Sequence, residues 1–320
     1  MSSAAFAGLC TCMITAASED TYGQLIEPHR AELRAHCYRM LGSVHDAEDA
    51  LQDALLRAWK ALPRFEGRSS VRTWLYRIAT NACLDLLARR PKQPAEWPEP
   101  FPDEMLEIED GRAAPDARYE QRESIELAFV AALQHLPANQ RAALLLRDVL
   151  GFSAKETAAA LETTVPSANG ALRRARAAVD HRLPERSQQV ALRELGDDEV
   201  RAIVERYADA LERGDLDAMV AMLAEDASFS MPPLPDRFDG LDEIVPFLAR
   251  GPFRVRWRHL PVRASGQAAV GCYMWDAGRG VYVFHAIDVL TLDGPRIGAI
   301  TAFLDDQLFT AFGLPDELPE

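Results

Sequence analysis

Cysteine is scarce in this chain, long apolar runs are missing, and basic residues are outnumbered by acidic ones. The 320 residues hold five cysteines, Cys10, Cys12, Cys37, Cys83 and Cys272, scattered and odd in number. That distribution argues against a disulfide framework or a paired zinc site and for a reducing compartment. The thiols of "CTC" have no histidine or third cysteine beside them, so neither a metal nor any other cofactor is expected. No apolar stretch approaches the roughly 20 residues of a membrane helix, and "AALLLRDVLGF" is broken by Arg147 and Asp148. The opening "MSSAAFAGLCTCMITAASED" has no Lys or Arg ahead of its apolar part, so residues 1–21 read as a disordered tail rather than a signal peptide. A cytoplasmic protein is expected.

With 35 basic and 49 acidic residues the formal net charge is -14. The deficit is uneven. Residues 63–92 carry seven basic and two acidic residues, and residues 137–183 carry seven and four. Between these islands, residues 96–126 hold eleven acidic and three basic residues; beyond Gly196 the tally is twenty-two against eleven. Overall acidity therefore does not exclude a nucleic-acid partner, because two stretches are locally positive.

Composition divides the chain into a helical domain over 22–92, an acidic, Pro-rich linker over 93–117, a second helical domain over 118–186 and an α+β domain over 197–315. In "SVHDAEDALQDALLRAWKAL", Ser43 is a good N-cap, and Ala47, Ala50, Leu51, Ala54, Leu55, Ala58 and Leu62 share one helical stripe. The other side mixes Asp49, Gln52 and Asp53 with Leu56 and Trp59, which suits either a partner surface or exposed carboxylates beside a wide core stripe. In "VRTWLYRIATNACLDLLARR", Trp74 and Tyr76 are interleaved with Arg72 and Arg77, and Arg68 precedes them. Rings and guanidinium groups in that mixture suit single-stranded nucleic acid, although a Trp at helical spacing also suits a core.

"GFSAKETAAALETTVPSANGALRRARAAV" has helix-turn-helix form, with Ser153 capping a first helix and Thr164 a second. On the second, Val165, Ala168, Leu172, Ala175 and Val179 form an apolar face, and Ser167, Gly170, Arg173 and Arg174 lie opposite, flanked by Asn169 and Arg176. Small residues at its start permit close approach to major-groove edges, and the arginines reach guanines or phosphates.

These segments in order closely resemble the extracytoplasmic-function group of bacterial sigma-70 factors. The resemblance runs from "DAEDALQDALLRAWKALPRFEG" and "SVRTWLYRIATNACLDLLARR" to "ALQHLPANQRAALLLRDVLGFSAKETAAAL". It implies a region 2 helical bundle and a region 4 helix-turn-helix, with core RNA polymerase and promoter DNA as partners and no catalysis by the chain itself. Asp49, Gln52, Asp53 and Trp59 would meet the polymerase clamp. Arg68, Arg72, Trp74, Arg77 and Asn81 would capture the -10 strand, and Ser167, Asn169, Gly170, Arg173, Arg174 and Arg176 would read the -35 element. The acidic linker resembles the segment threaded through the polymerase cleft. At Asn169 and Gly170 many relatives have arginine or serine, so the resemblance does not carry the family's -35 sequence preference over to this chain.

The remaining C-terminal half, two amphipathic helices followed by alternating strands, resembles the SnoaL-like, ketosteroid-isomerase-like cone, an α+β fold around a pocket. Pocket candidates are Trp257, His259, Tyr273, Trp275, His285 and Asp288, with Phe229 and Met231. Catalysis with Asp288 or His259 as base, small-molecule binding and protein contact are all open to such a domain. Sigma factors with this extension form a subset in which, the resemblance implies, the extension regulates in cis in place of a separate anti-sigma protein. "EWPEPFPD" resembles that subset's linker motif, so Trp97, Pro98, Pro100 and Phe101 are expected to dock on the cone or the adjoining sigma surface. The competing readings are a ligand-responsive helix-turn-helix regulator and an isomerase-like or cyclase-like enzyme fused to a DNA-binding module.

Overall fold

The computed structural model describes residues 22–67, 69–89, 97–106, 124–184, 186–305 and 307–320. Arg68 and the segments 93–96 and 107–117 of the expected linker lie outside the described residues. In chain order the helices are α1 Arg30–Leu41, α2 Val44–Ala61, α3 Val71–Arg89, α4 Leu127–Gln134, α5 Ala138–Leu144, α6 Ala154–Ala160, α7 Val165–Asp180, α8 Gln188–Leu195, α9 Asp197–Arg213, α10 Leu216–Met222, α11 Leu241–Arg250 and α12 Leu308–Ala311. The strands are β1 Leu223–Ser230, β2 Arg237–Asp239, β3 Trp257–Ala264, β4 Gln267–Asp276, β5 Val281–Asp293, β6 Arg296–Phe303 and β7 Glu317–Leu318.

The chain forms two compact units. The first comprises the described parts of Met1–Leu41, His45–Pro94 and Leu136–Ala178. Its core is built from the α2 stripe expected from spacing, where Ala47, Ala50, Leu51, Ala54, Leu55 and Ala58 are all buried, and from α1 and α3 packed together. Between α1 and α3 the buried His36 Nε2 lies 2.9 Å from Thr80 Oγ1. Arg141 of α5 is buried as well and donates to the Leu136 carbonyl at 3.2 Å and to the Met40 carbonyl. Burial lowers its pKa to about 10, so it remains a cation that the carbonyl oxygens must satisfy.

Helix α5 ends at Leu144, and the chain continues as a π-turn over Leu145–Val149. The Leu150 N–H reaches the Leu145 carbonyl at 3.0 Å and the Phe152 N–H reaches Leu146 at 2.8 Å. The wider turn lets the consecutive Leu144, Leu145 and Leu146 all bury, which an ideal 3.6-residue turn disfavours.

The second unit comprises the described parts of Gly42–Val44, Ala95–His135 and Val179–Glu320. It therefore takes α4, which sequence grouped with the second helical domain. The reason is local: Glu126 accepts the N–H groups of Gln188 and Gln189 at 3.2 and 2.7 Å, capping α8, and Leu127 packs on the sheet. The sheet order is β2-β1-β6-β5-β4-β3, with β7 beside β5. It is not wholly antiparallel, since β1 runs parallel to β6.

Alternation along the strands gives the sheet two apolar faces. Val270, Cys272, Ala286 and Leu290 pack under α9, α10 and α11 against Tyr207, Leu211, Met219 and Leu248. Ala269, Tyr273, Phe284, Val289 and Phe303 face the other way, against Leu308 and Phe312. A register shift between Cys272 and Tyr273 marks where β4 and β5 bend, as a bulge does by raising local twist. The bend makes the first face concave, and the helices cover it.

Candidate nucleic-acid interface, linker dock and cone cavity

The helix-turn-helix is set by its caps. Ser153 Oγ accepts the Glu156 N–H at 3.2 Å while Glu156 Oε2 accepts the Ser153 N–H at 2.9 Å, a reciprocal capping box. The turn passes through Glu162 at φ 50°, and Thr164 Oγ1 accepts the Ser167 N–H at 3.3 Å at the start of α7. Ala168, Leu172, Ala175 and Val179 are buried as expected, whereas Val165, in the first turn, is exposed. Ser167, Asn169, Arg173 and Arg174 are exposed and Gly170 half-buried, so the structure presents this set on the outer side of α7. A Cβ at Gly170 would lie 3.4 Å from the Arg174 guanidinium, so glycine leaves that arginine room. Arg176 differs from its neighbours: Asp148 holds it through two bonds of 2.8 and 2.6 Å. That bidentate pair fixes its fork at the flank of the helix.

On α3 the structure separates the expected strand-capturing residues. Arg77 is exposed and Asn81 half-buried. Trp74, by contrast, is 6% exposed and packs on Phe65 with ring centroids 4.8 Å apart, and Tyr76 is buried too. A ring withdrawn from solvent has no face to offer a base, so the stacking expected of Trp74 is not available in this conformation. Arg72 binds Glu32 at 3.1 Å and lies over the rings of Tyr76 and Phe152, at 4.9 and 5.3 Å from their centroids. Thr73 Oγ1 donates to Glu156 Oε1 at 3.3 Å. The first turn of α3 thus meets the start of the helix-turn-helix inside the first unit.

The mixed face of α2 is open. Asp49, Gln52, Asp53 and Leu56 are exposed, the last at 59%, a high value for a leucine. Asp53 pairs with Arg57 at 2.7 Å, and Arg57 also grips Asp85 of α3 at 2.7 Å. Trp59 is half-buried, edge-on to Tyr22 at 4.9 Å.

In the second unit the linker motif lies on the cone sheet. Pro98 and Pro100 are buried, Trp97 is half-buried against the outer apolar face, and Phe101 has no exposed surface. The β3–β4 turn, with Ser265 at φ 54° and Gly266 at φ 72°, has the two left-handed residues of a tight hairpin. Its polar groups bond to the linker: Phe101 donates its N–H to Ser265 Oγ at 3.0 Å, and Ser265 returns its N–H to the Phe101 carbonyl at 2.6 Å. Asp103 Oδ1 accepts the Gly266 N–H at 2.7 Å, and Gln189 donates to the Gly266 carbonyl. Sequence reasoning missed Asp103, Ser265 and Gly266. The "SG" pair was a visible turn signal, but nothing in the sequence pointed to what it holds.

The cone encloses a cavity of about 320 Å³ on its concave face. Trp257, His259, His285 and Asp288 line it, as do Phe229 and Met231. Tyr273 and Trp275 do not: along β4 the even residues Cys272 and Met274 face the cavity, so their odd neighbours lie on the outer face of the sheet. Tyr207 donates its hydroxyl to Asp288 Oδ2 at 2.7 Å, and burial pushes the Asp288 carboxyl up from its ordinary pKa. Burial pushes His285 down.

Comparison with known proteins bears on this whole arrangement. The sigma-70 region 2 profile matches residues 25–92, the sigma-70 region 4 profile matches 126–179, and the SnoaL-like domain profile matches 204–300. Over 320 residues the chain is 40% identical to the ECF RNA polymerase sigma factor SigG of Mycobacterium tuberculosis, covering 91% of this chain and 83% of that one. It is 33% identical over 159 residues to SigM of the same species, covering 49% and 74%. The crystal structure of the M. tuberculosis sigma factor SigJ superposes with a TM-score of 0.60 at 24% identity, covering 90% of this chain and 98% of that one, a likeness of fold. With both sigma regions and the cone matched in order, and this identity to SigG over most of its length, the chain belongs to the ECF RNA polymerase sigma factors that carry a C-terminal SnoaL-like domain.

Proposed function

We propose that this sigma factor binds core RNA polymerase through the exposed face of α2, captures the -10 strand with Arg72, Arg77 and Asn81, and reads the -35 element with α7. On α7 the readers are Ser167, Asn169, Gly170, Arg173 and Arg174, with Arg176 at the flank. In this reading the chain performs no chemistry: it supplies binding energy for promoter recognition, and the polymerase makes the phosphodiester bond. The cone acts in cis as a brake, without need of a separate anti-sigma protein. One observation carries the brake: the linker is hydrogen-bonded into the β3–β4 hairpin, with Phe101 buried there. A segment held that way cannot at the same time be threaded through the polymerase.

Run-off transcription with purified core polymerase tests both parts, comparing the full chain with a Phe101→Ala, Asp103→Ala variant. Truncating a buried Phe weakens its packing by about 3–5 kcal/mol, which shifts a docked population by more than ~100-fold. The variant is expected to give more transcript than the unaltered chain when the factor is limiting. Absence of transcript from either protein, with duplex promoter binding that needs no polymerase, would favour an ordinary helix-turn-helix regulator. Equal transcript from both would remove the brake and leave the sigma activity standing.

A further inference from the structure

The cone cavity is not used by the transcription reading, and one polar group on its wall is set apart from the rest. The wall is almost wholly apolar, with Met219, Phe229, Phe247, Leu248 and Met274 among its side chains. At about 320 Å³ it is roughly twice the ~150 Å³ of an apolar cavity that takes up benzene, so two fused rings have room. Val255 lines it and is also 42% exposed, which places a mouth there. Most polar groups along the wall are engaged or out of reach. Trp257 donates its indole N–H to the Pro252 carbonyl at 2.7 Å, and Tyr207 donates its hydroxyl to Asp288 at 2.7 Å. The side chain of His259 has no accessible surface, so it cannot touch a ligand in the cavity.

His285 differs in placement, surface and partners. In the β4–β5 ladder Tyr273 pairs with Phe284 and Cys272 with Ala286, so His285 is the extra residue of the bulge. Strict alternation from Ala286 would put His285 on the outer face of the sheet. The bulge instead turns His285 and Ala286 to the cavity together, while Phe284 and Ile287 stay on the outer face. His285 is partly exposed, and its imidazole makes no hydrogen bond to any described residue. The Trp257 ring lies beside it, with centroids 5.6 Å apart. Burial holds its pKa below the ordinary value, so at neutral pH the ring is uncharged and offers one N–H and one bare nitrogen. His285 and Leu304 also line the adjoining cleft beside Trp97, which puts the imidazole at the boundary of the cavity.

We propose that the cone cavity binds an uncharged, mostly apolar molecule of one or two rings, whose single hydroxyl or carbonyl oxygen is hydrogen-bonded by His285. The rings fill the apolar part and the oxygen meets the bulge. A charged molecule is disfavoured because apolar walls replace none of the water it gives up. A hydrocarbon suits the walls but covers the imidazole without satisfying it.

The test uses the full-length protein and three fluorescent probes built on the same rings: 2-naphthol, naphthalene and 2-naphthalenesulfonate. Titrated at neutral pH, the naphthol is expected to bind about fivefold more tightly than naphthalene, the effect of one net hydrogen bond. The sulfonate, with its fixed negative charge, should bind at least ~tenfold more weakly than the naphthol. His285→Phe keeps a ring at a position that has no ladder partner, and should bring naphthol and naphthalene to within about twofold. Location is read by NMR of isotope-labelled methionine methyl groups: naphthol should shift Met219, Met231 and Met274, which line the cavity, and leave Met40 of the first unit unmoved. The proposal is overturned if naphthol does not bind, if naphthalene or the sulfonate binds as tightly, if the cavity methyl groups stay in place, or if a folded His285→Phe protein keeps the preference for naphthol. The probe comparison and the methyl shifts need only the unaltered chain, so a misfolded variant neither rescues nor sinks it. Binding is measured on the free factor, so its failure leaves the promoter and brake readings standing.

Discussion

His36 shows how one buried side chain ties stability to pH. It has no exposed surface, and burial, then Arg39 and Arg72, pull its pKa down to about 3. An unfolded histidine titrates near 6.5. Between those values the unfolded chain binds a proton that the folded chain refuses, so stability falls as pH falls, by up to about 1.4 kcal/mol per pH unit. The loss starts near pH 6.5 and runs down toward 3. His36→Gln keeps a polar partner for Thr80 Oγ1 and has no proton to take up. Urea melts at about pH 7, 6 and 5 are expected to show a flatter decline in the variant than in the parent. Parallel declines would mean that His36 is not the group responsible.

At the scale of elements, the helix-turn-helix gives a local prediction. Ser153→Ala removes the half of the capping box that the Ser153 hydroxyl accepts, leaving the main-chain N–H of residue 153 to donate to Glu156, and is expected to destabilise the first unit by about 1 kcal/mol. Ser153→Asp, which restores an acceptor at the cap, should recover most of that in the same denaturant melts. The cap was legible in the sequence because its partners are three residues apart. So was most of the α2 stripe: spacing alone picked out Ala47, Ala50, Leu51, Ala54, Leu55 and Ala58, all buried, and also Leu62, which lies past the helix end and is only half-buried. What depends on distant partners was not legible. In sequence, Trp74 and Tyr76 suited either a nucleic-acid surface or a core; α3 is covered on more than one side, so both rings bury against Phe65 and Phe152. The parity of β4, which sends Tyr273 and Trp275 away from the cavity, is set by which face the helices cover. The bond from Gly266 to Asp103 joins residues 163 apart in sequence, beyond any periodicity.

For the whole molecule, the formal net charge of -14 and the positive islands call for different responses to salt. Contacts of Arg72, Arg77, Arg173 and Arg174 with phosphates would release counterions, lowering log K by about 0.9 per phosphate for each decade of salt. Four such contacts predict that promoter binding by the polymerase-bound factor weakens roughly a hundredfold between about 50 and 200 mM salt. The linker dock rests on other forces. Phe101 is buried, the bonds at Ser265 and Gly266 are short buried ones with main-chain N–H donors, and the ion pair at the dock, Arg263 with Asp103, is long at 3.6 Å. Salt screens exposed charges and leaves such contacts nearly untouched. Amide exchange at Ser265 and Gly266 is therefore expected to stay slow across the salt range that dissociates the promoter, as read by hydrogen–deuterium exchange of the free factor. Loss of that protection in step with loss of DNA binding would show that the dock is held by charge, and the separation of the two functions by their physical chemistry would fail.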